Sequence, residues 1–163
     1  MPSRAPRISL ADVARTGARF VNRPLGSGTR VLLEDQLALA GLTGQHITGF
    51  DHDEPSHTAV AQAVVAGAAD AGLGIEMAAR ARGLDFVPLV HERYHLACLK
   101  ASLDQPATLA LRNLLQTPEW LAQMATLPGY SPWQCGEVQA MNTVLPWWQF
   151  TRKKRTSEPR KKP

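Results

Sequence analysis

One short run of residues restricts the folds open to this chain more than any other. Residues 18–22 have the composition of a strand, with Phe20 and Val21 as its apolar centre. A loop with two glycines follows over residues 23–28, and a helical pattern of apolar residues then occupies residues 29–40 and stops at a glycine. A strand that passes through a glycine-rich loop into a helix is the repeating unit of α/β folds.

The remaining pattern extends this unit over most of the chain. A short helix begins after the capping residue Ser9 and ends at Gly17. Further predicted helices cover residues 58–66, 76–82, 106–116 and 118–127, and further predicted strands cover residues 47–50, 69–74, 85–90 and 94–99. Strands that alternate with helices predict an α/β domain with a largely parallel or mixed sheet.

The composition fits one ordinary domain. The chain has 163 residues, of which 44% are hydrophobic, so it can bury a core without disulfides or metals. No stretch approaches the roughly 20 apolar residues that a membrane helix needs, and no apolar run follows the basic N-terminus as it would in a secretory signal. We therefore expect a cytoplasmic protein. Without a Cys-x-x-Cys spacing, Cys98 and Cys135 are predicted to be reduced structural thiols.

The positive charge is concentrated at the C-terminus. Residues 151–163 hold seven Lys or Arg against one Glu, a net +6, so the rest of the chain carries −2 out of the total of +4. This basic tail is predicted to be disordered, and two interpretations stay open: a solvated terminus, or a weak contact with nucleic acid. The preceding Trp147 and Trp148 either dock on their own domain or bind a partner or membrane surface.

The glycine-rich loop has the features of an anion site. A helix N-terminus presents unpaired N–H groups and partial positive charge, which favour an anion. Glycines allow close approach of the backbone, hydroxyls donate hydrogen bonds, and arginines supply charge. The predicted contributors are Gly26, Gly28, Ser27, Thr29, Arg23 and Arg30. The alternative is a tight turn with a capped helix. The motifs of P-loops, dinucleotide folds and α/β-hydrolases do not fit this loop.

Several runs together resemble a known family. Residues 20–33, 56–61, 67–75, 84–89, 92–94, 127–130 and 136–138 look like the periplasmic-binding-protein-like ligand-binding domain of bacterial cytoplasmic transcriptional regulators and of molybdenum-cofactor-associated proteins. The resemblance implies a type 2 fold, a three-layer α/β/α arrangement with a mixed sheet, whose two lobes close on a ligand. It also implies a non-catalytic domain without a cofactor, whose ligand is a molybdate- or tungstate-like oxyanion or a related small metabolite.

The resemblance also assigns roles to residues of this chain. Ser27 and Thr29 would donate to the anion, and Arg23 or Arg30 would balance its charge. Ser56 or His57 would close the other side of the pocket. Asp70 and Gly72 would shape the wall of the pocket, and Tyr94 would lie near the hinge.

The family's domain normally has a first lobe before the point where this chain begins. We therefore expect that lobe to be largely missing, with an apolar surface left exposed. Candidate partners are a second lobe or a DNA-binding domain on another chain. The expected organisation is a partial ligand-binding domain over residues 1–140, a Trp-rich segment over residues 141–150, and the basic tail over residues 151–163.

Other chemistry is less well supported by the sequence. His91 and His95 make an incomplete metal site, and residues 51–54 lack the regular ligand spacing of a calcium loop. His57 could act as a general base beside Ser27, but no third group is assignable. Two alternatives to a ligand sensor remain open. One is an interaction or DNA-associated protein that acts through its basic tail, and the other is an accessory domain in molybdenum-cofactor biosynthesis.

Overall fold

The computed structural model describes residues 8–148, which fall into two compact units. Among the described residues, unit 1 comprises residues 8–97 and Ala122–Ser131, and unit 2 comprises Cys98–Leu121 and residues 132–148. The elements of residues 8–97 are α1 (Leu10–Thr16), β1 (Phe20–Val21), α2 (Gly28–Leu39), a 3-10 turn (Gly44–His46), α3 (His57–Val65), β2 (Ala71–Gly72) and α4 (Glu76–Arg80). The later elements are a 3-10 turn (Lys100–Ser102), α5 (Pro106–Leu115), α6 (Pro118–Ala125) and α7 (Met141–Val144).

A parallel pair of strands forms the centre of unit 1. Phe20 pairs with Ala71 and Val21 with Gly72, and a single parallel bridge from Asn22 to Asp53 continues β1. Helical residues lie between the paired strands in the sequence, as a parallel connection requires. The fold is therefore α/β, with a small sheet.

The two residues of β1 belong to different parts of the core because successive strand side chains point to opposite faces. Phe20 packs with a cluster contributed by α1, α2 and the turn after α2: Val13, Leu33, Leu37 and Ile47. Val21 packs with a second cluster from α3 and the start of the β2 region: Val60, Ala63 and Ala69. One short strand thus connects both hydrophobic clusters.

The helix boundaries follow the sequence signals closely. Ser9 caps α1, accepting a hydrogen bond from the Asp12 N–H at 3.1 Å while the Asp12 carboxylate accepts from the Ser9 N–H, and Gly17 ends the helix at a φ of 67°. Ser27 and Ser56 cap α2 and α3 by accepting a hydrogen bond from the N–H of the residue three positions later. The predicted helices over residues 29–40, 58–66, 76–82, 106–116 and 118–127 are all present, although α4 ends two residues earlier than predicted.

The strand predicted over residues 47–50 is wrong. These residues form turns after the Gly44–His46 3-10 turn, and Gly49 has a φ of 83°. The Phe20 N–H donates to the Thr48 carbonyl at 2.8 Å, so the segment lies against β1. A Cβ at position 49 would come within 2.4 Å of the Phe20 carbonyl oxygen, so this close approach requires glycine.

The strands predicted over residues 85–90 and 94–99 are also absent. A strand exists only through its hydrogen bonds to a neighbour, and in the described part of the chain neither segment pairs with another strand. Apolar side chains that a sheet would have covered are exposed, Leu96 at 74% and Leu99 at 76%. The β-type pattern of these residues is therefore present without the partner that would make it a strand.

Exposed apolar side chains continue beyond this segment. Leu111 and Leu114 of α5, Trp147 and Trp148 are all exposed. No helix between residues 8 and 148 is both long enough and apolar enough to cross a membrane. The basic tail and the last two residues of the Trp-rich segment lie outside the described residues.

Candidate functional site

Asn22 fixes the end of β1. Its side chain is completely buried; Nδ2 donates to the Phe50 carbonyl at 3.1 Å, and Oδ1 accepts from the Arg23 N–H at 2.9 Å. Its main-chain N–H donates to the His52 carbonyl, and its own carbonyl accepts from the Glu54 N–H at 2.9 Å. Asn22 thereby ties the glycine-rich loop to residues 50–54. This role was not predicted from the sequence, although an Asn that directly follows a buried strand and precedes a glycine-rich loop could have indicated it.

The N-terminus of α2 lies six residues beyond this strand end. Ser27 Oγ accepts from the Arg30 N–H at 3.2 Å, and the Ser27 N–H donates to the Pro24 carbonyl. Gly26 has a φ of 86°, a value that favours glycine and turns the chain into the helix. Within residues 8–148 the N–H groups of Gly28 and Thr29 donate to no other residue. These two N–H groups are available to an anion.

The N-terminus of α3 is the second helix start in this region. Ser56 Oγ accepts from the Ala59 N–H at 3.0 Å, and His57 is the first helical residue. The His57 ring is half-buried, and its Nδ1 is buried without a hydrogen-bond partner among the described residues. Burial and the nearby Arg23 cation lower the pKa of His57, whereas Glu92 acts in the opposite direction. We therefore expect a neutral imidazole at neutral pH.

The chain path brings these two helix starts to the same end of β1. The bridge from Asn22 to Asp53 places the approach to α3 beside the approach to α2. Arg23 directly follows Asn22 at this strand end: it is half-buried, its Nε is buried without a partner in the described residues, and its charge acts on His57. The predicted residues that the fold gathers in this region are Arg23, Gly26, Ser27, Gly28, Thr29, Ser56 and His57.

Arg30 does not extend toward this region as a free cation. Its side chain is only 10% exposed, and its Nε donates to Glu34 Oε1 at 2.8 Å. Nη1 donates to the Phe50 carbonyl at 3.0 Å, and the guanidinium lies 3.8 Å from the centroid of the Phe50 ring. Arg30 holds α2 against the turn that contains Phe50. Of the two arginines left open by the sequence, Arg23 is the one with uncommitted donors.

Asp70 lies at the opposite end of the strand pair from the two helix starts, and its predicted role as a wall residue stays a prediction. It precedes β2, and its carboxylate accepts from the Arg19 main-chain N–H at 2.9 Å and from Arg19 Nη2 at 2.7 Å. The hydrogen bonds and charge of Arg19 lower the pKa of Asp70 to about 2. Both residues join the beginnings of the strands, while the helix starts lie beyond their ends.

Gly72 and Tyr94 are the two remaining residues that were predicted to belong to the site. A Cβ on Gly72 would come within 2.6 Å of Val60 Cγ1 and 2.9 Å of the Val21 carbonyl oxygen, so Gly72 serves the close packing of β2 against β1 and α3. Tyr94 is 74% exposed, in the irregular segment that was predicted to be a strand. Its predicted place near a hinge stays a prediction.

Unit 1 also contains an open cleft of about 580 Å³. It is lined by Gly44, Gln45, Ile47, Gly49, Phe50, Asp51 and His52. None of the residues gathered around the two helix starts lines this cleft. No group of three or more His, Cys, Asp or Glu among residues 8–148 is arranged to hold a metal ion, and this includes the acidic loop and the two histidines considered above.

Comparison with known proteins gives a family and two uncharacterised relatives. Residues 5–116 match the model of the PBP superfamily domain. The chain is 35% identical over 127 residues to the uncharacterized protein YvgK of Bacillus subtilis, a match covering 78% of this chain and 41% of the relative. It is 30% identical over 109 residues to an uncharacterized protein encoded in the ferredoxin 2Fe-2S gene 5' region of Clostridium pasteurianum, covering 66% of this chain and 96% of that relative. No solved structure matches.

Proposed function

The chain belongs to the PBP superfamily, a family with a periplasmic-binding-protein-like fold, and from this membership and the geometry at the end of β1 we propose that it binds a small oxyanion without catalysing a reaction. The domain matched by the family model contains the glycine-rich loop and the starts of α2 and α3. A ligand-binding role follows from the family. The nature of the ligand and the lack of catalysis are the parts that we propose.

One observation carries the proposal: two helix N-termini begin beyond the same strand end, next to an arginine with an unpaired donor. Each helix start contributes roughly half a positive charge. The N–H groups of Gly28 and Thr29 and the hydroxyls of Ser27 and Thr29 can donate to oxygen atoms. Residues 22–30 contain two arginines and no acidic residue, so this loop offers no carboxylate that would repel an anion.

A tetrahedral oxyanion such as molybdate or tungstate suits these donors. Several convergent N–H and O–H donors can be distributed over four oxygen atoms, while a planar carboxylate offers only two. The support for molybdate or tungstate in particular is the resemblance of the loop and of residues 67–75 to domains found beside molybdenum-cofactor proteins. Sulfate and phosphate are the alternatives to be compared directly.

We propose binding without catalysis because the candidate nucleophile and base lack the required geometry. Ser27 Oγ accepts the capping hydrogen bond from the Arg30 N–H, and no residue orients His57 through its Nδ1. A nucleophile usually requires a base that is itself held by a third group. We also propose that the domain is the sensor part of a cytoplasmic transcriptional regulator and reports ligand binding to it. The DNA-binding domain or a second lobe would then be on another chain.

The aligned residues are about two fifths of the length of the B. subtilis relative. In that relative, similar residues are accompanied by further chain, which is compatible with a sensor joined to other parts. A second candidate function is an interaction through the C-terminal region. It is favoured by the exposure of Trp147 and Trp148, at 75% and 61%, next to the basic tail.

Thermal unfolding with added oxyanions tests the proposed function. Molybdate, tungstate, sulfate and phosphate are added separately, and we expect one of them to raise the melting temperature with concentration, because a ligand that binds only the native state stabilises it. Ser27→Ala should weaken the effect. Thr117→Ala is a matched control, since Thr117 Oγ accepts a capping hydrogen bond of the same 3.2 Å length from the Trp120 N–H in another helix. A clean transition that no oxyanion shifts would contradict the proposal.

A further inference from the structure

His57 and Arg23 share an unusual property, and the proposed binding of an oxyanion uses it only for Arg23. His57 Nδ1 and Arg23 Nε are buried nitrogen atoms without a hydrogen-bond partner in the described residues. A buried polar atom without a partner costs free energy, and native structures contain few of them. Both atoms lie on side chains at the end of β1, so two buried nitrogen atoms without a partner occur in one region of the fold.

Three neighbouring residues, Gly74, Arg23 and Glu92, influence whether the His57 ring can take up a proton. A Cβ on Gly74 would lie 3.7 Å from Nδ1, so the loop after β2 approaches the ring with a residue that has no side chain. The charged groups acting on the ring are Arg23, from the loop after β1, and Glu92, from the irregular segment. The charges of Arg23 and Glu92 cancel formally, which leaves the helix starts as the remaining positive charge.

This balance distinguishes ligands by charge. Two helix starts, at roughly half a charge each, match an anion with one negative charge. A second negative charge needs another cation, and the imidazole of His57 is the group that can supply it by taking up a proton. The inference rests on the proposed function.

We infer that the site takes a dianionic tetrahedral oxyanion between Arg23 and His57, and that His57 takes up one proton from solvent as the anion binds. The new N–H bond forms on the ring nitrogen that carries the lone pair, and the protonated form of the buffer loses the proton and becomes its conjugate base. The imidazolium can donate from both ring nitrogens, so Nδ1, which otherwise has no partner in the described residues, can donate to an oxygen atom of the anion. His57 is therefore a charge-matching residue of the site.

The sign of the pH dependence follows from this coupling. Burial and Arg23 lower the pKa of His57 in the free protein below its ordinary 6.5, and a bound dianion raises it. The affinity for the dianion therefore increases as the pH falls through the pKa of His57 in the complex. It levels off below the pKa in the free protein. Between the two, one coupled proton gives a change of about tenfold per pH unit.

Titration calorimetry of the full chain with sulfate and with tungstate tests the inference, since both remain dianions across the neutral range and any pH dependence belongs to the protein. We expect the measured heat to vary with the ionisation enthalpy of the buffer, as uptake of up to one proton requires. His57→Gln should remove both the proton uptake and the pH dependence. His95→Gln, a change of an exposed histidine in the irregular segment, should retain them.

Glu92→Gln provides a readout that a merely structural role of His57 would not affect. Because Glu92 favours the protonated ring, its removal should move the pH dependence to lower pH while the shape of the curve is kept. Binding of either dianion with the same affinity at all pH values would overturn the inference and leave the proposed oxyanion site in place. Absence of binding by every oxyanion at every pH would overturn both.

Discussion

The Arg30 guanidinium lies 3.8 Å from the centroid of the Phe50 ring, and its Nη1 donates to the carbonyl oxygen of the same residue at 3.0 Å. One arginine thus contacts both the side chain and the backbone of one phenylalanine, and Glu34 holds its Nε. The consequence is that α2 is anchored to the turn that follows it by a buried charge.

Replacing Arg30 should therefore affect stability first. Arg30→Ala loses the cation–π contact and two charge-assisted hydrogen bonds, and we expect the free energy of unfolding to fall by about 2–4 kcal/mol. Urea denaturation followed by circular dichroism measures this value. Arg15→Ala removes an arginine that is 72% exposed and should change stability by no more than about 0.5 kcal/mol. Equal stability of both variants would contradict the anchoring role.

Asn22 should control both the fold of the loop and anion binding. Asn22→Ala leaves the Phe50 carbonyl and the Arg23 N–H without their partners, so we expect a loss of about 1–3 kcal/mol in stability. It should also weaken oxyanion affinity, because the loop loses its attachment to residues 50–54. Affinity is measured at a temperature where the variant is still folded. A variant that binds normally would show that Asn22 does not position the loop.

The Arg19–Asp70 ion pair should make stability depend on acid pH. The pKa of Asp70 is lowered to about 2, so the carboxylate contributes stability above its ordinary pKa of 3.8 and loses it as the pH falls toward 2. Asp70→Asn should therefore lower the melting temperature at neutral pH, and the difference from the parent chain should disappear near pH 2. Asp85→Asn, at an exposed position, serves as the control. A difference that persists unchanged at low pH would contradict this explanation.

Gly72 should tolerate no larger residue. In Gly72→Ala the new methyl would meet Val60 Cγ1 at 2.6 Å and the Val21 carbonyl oxygen at 2.9 Å, so we expect a loss of roughly 1–3 kcal/mol from overpacking. Combining it with Val60→Ala should recover part of this loss relative to the sum of the two single changes. Simple additivity of the two changes would show that the contact with Val60 is not the cause.

Deleting residues 151–163 tests the second candidate function. The deletion removes a net charge of +6, so any retention on nucleic acid at low salt should disappear if the basic tail supplies the phosphate contacts. The truncated chain should still unfold in one transition and bind the oxyanion. Equal retention of the full and truncated chains would remove the tail from consideration.

The parts of the fold that could be predicted from the sequence are those with local causes. The glycine-rich loop and α2 carry their own signals, the capping residue Ser27 at one end and Gly41, with a φ of 70°, at the other. The same holds for α3, which begins after Ser56. Membership of the PBP superfamily could likewise be inferred from the resemblance of several runs.

The parts that could not be predicted depend on distant residues. Residues 94–99 have a pattern typical of a strand, but only a neighbouring strand could have made them one. Arg23 and Arg30 are equivalent in sequence, and their difference arises because the position of Arg30 on α2 directs it toward Phe50, twenty residues away. The position of Asp70 could not be predicted either, because the sequence does not show that Asp70 and the two helix starts lie at opposite ends of the strand pair.

The pairing of Phe20 with Ala71 has a consequence for how the protein is made. Its two residues are 51 positions apart, so the entropy of closing a long loop opposes the pairing, while α2 and α3 involve only near neighbours in the chain. During synthesis the first helices can begin to form early, but Phe20 and Val21 have no partner strand until β2 has left the ribosome. A chain interrupted before β2 would leave the backbone of Phe20 and Val21 without its strand partner, and this is the species that we expect chaperones or proteases to encounter.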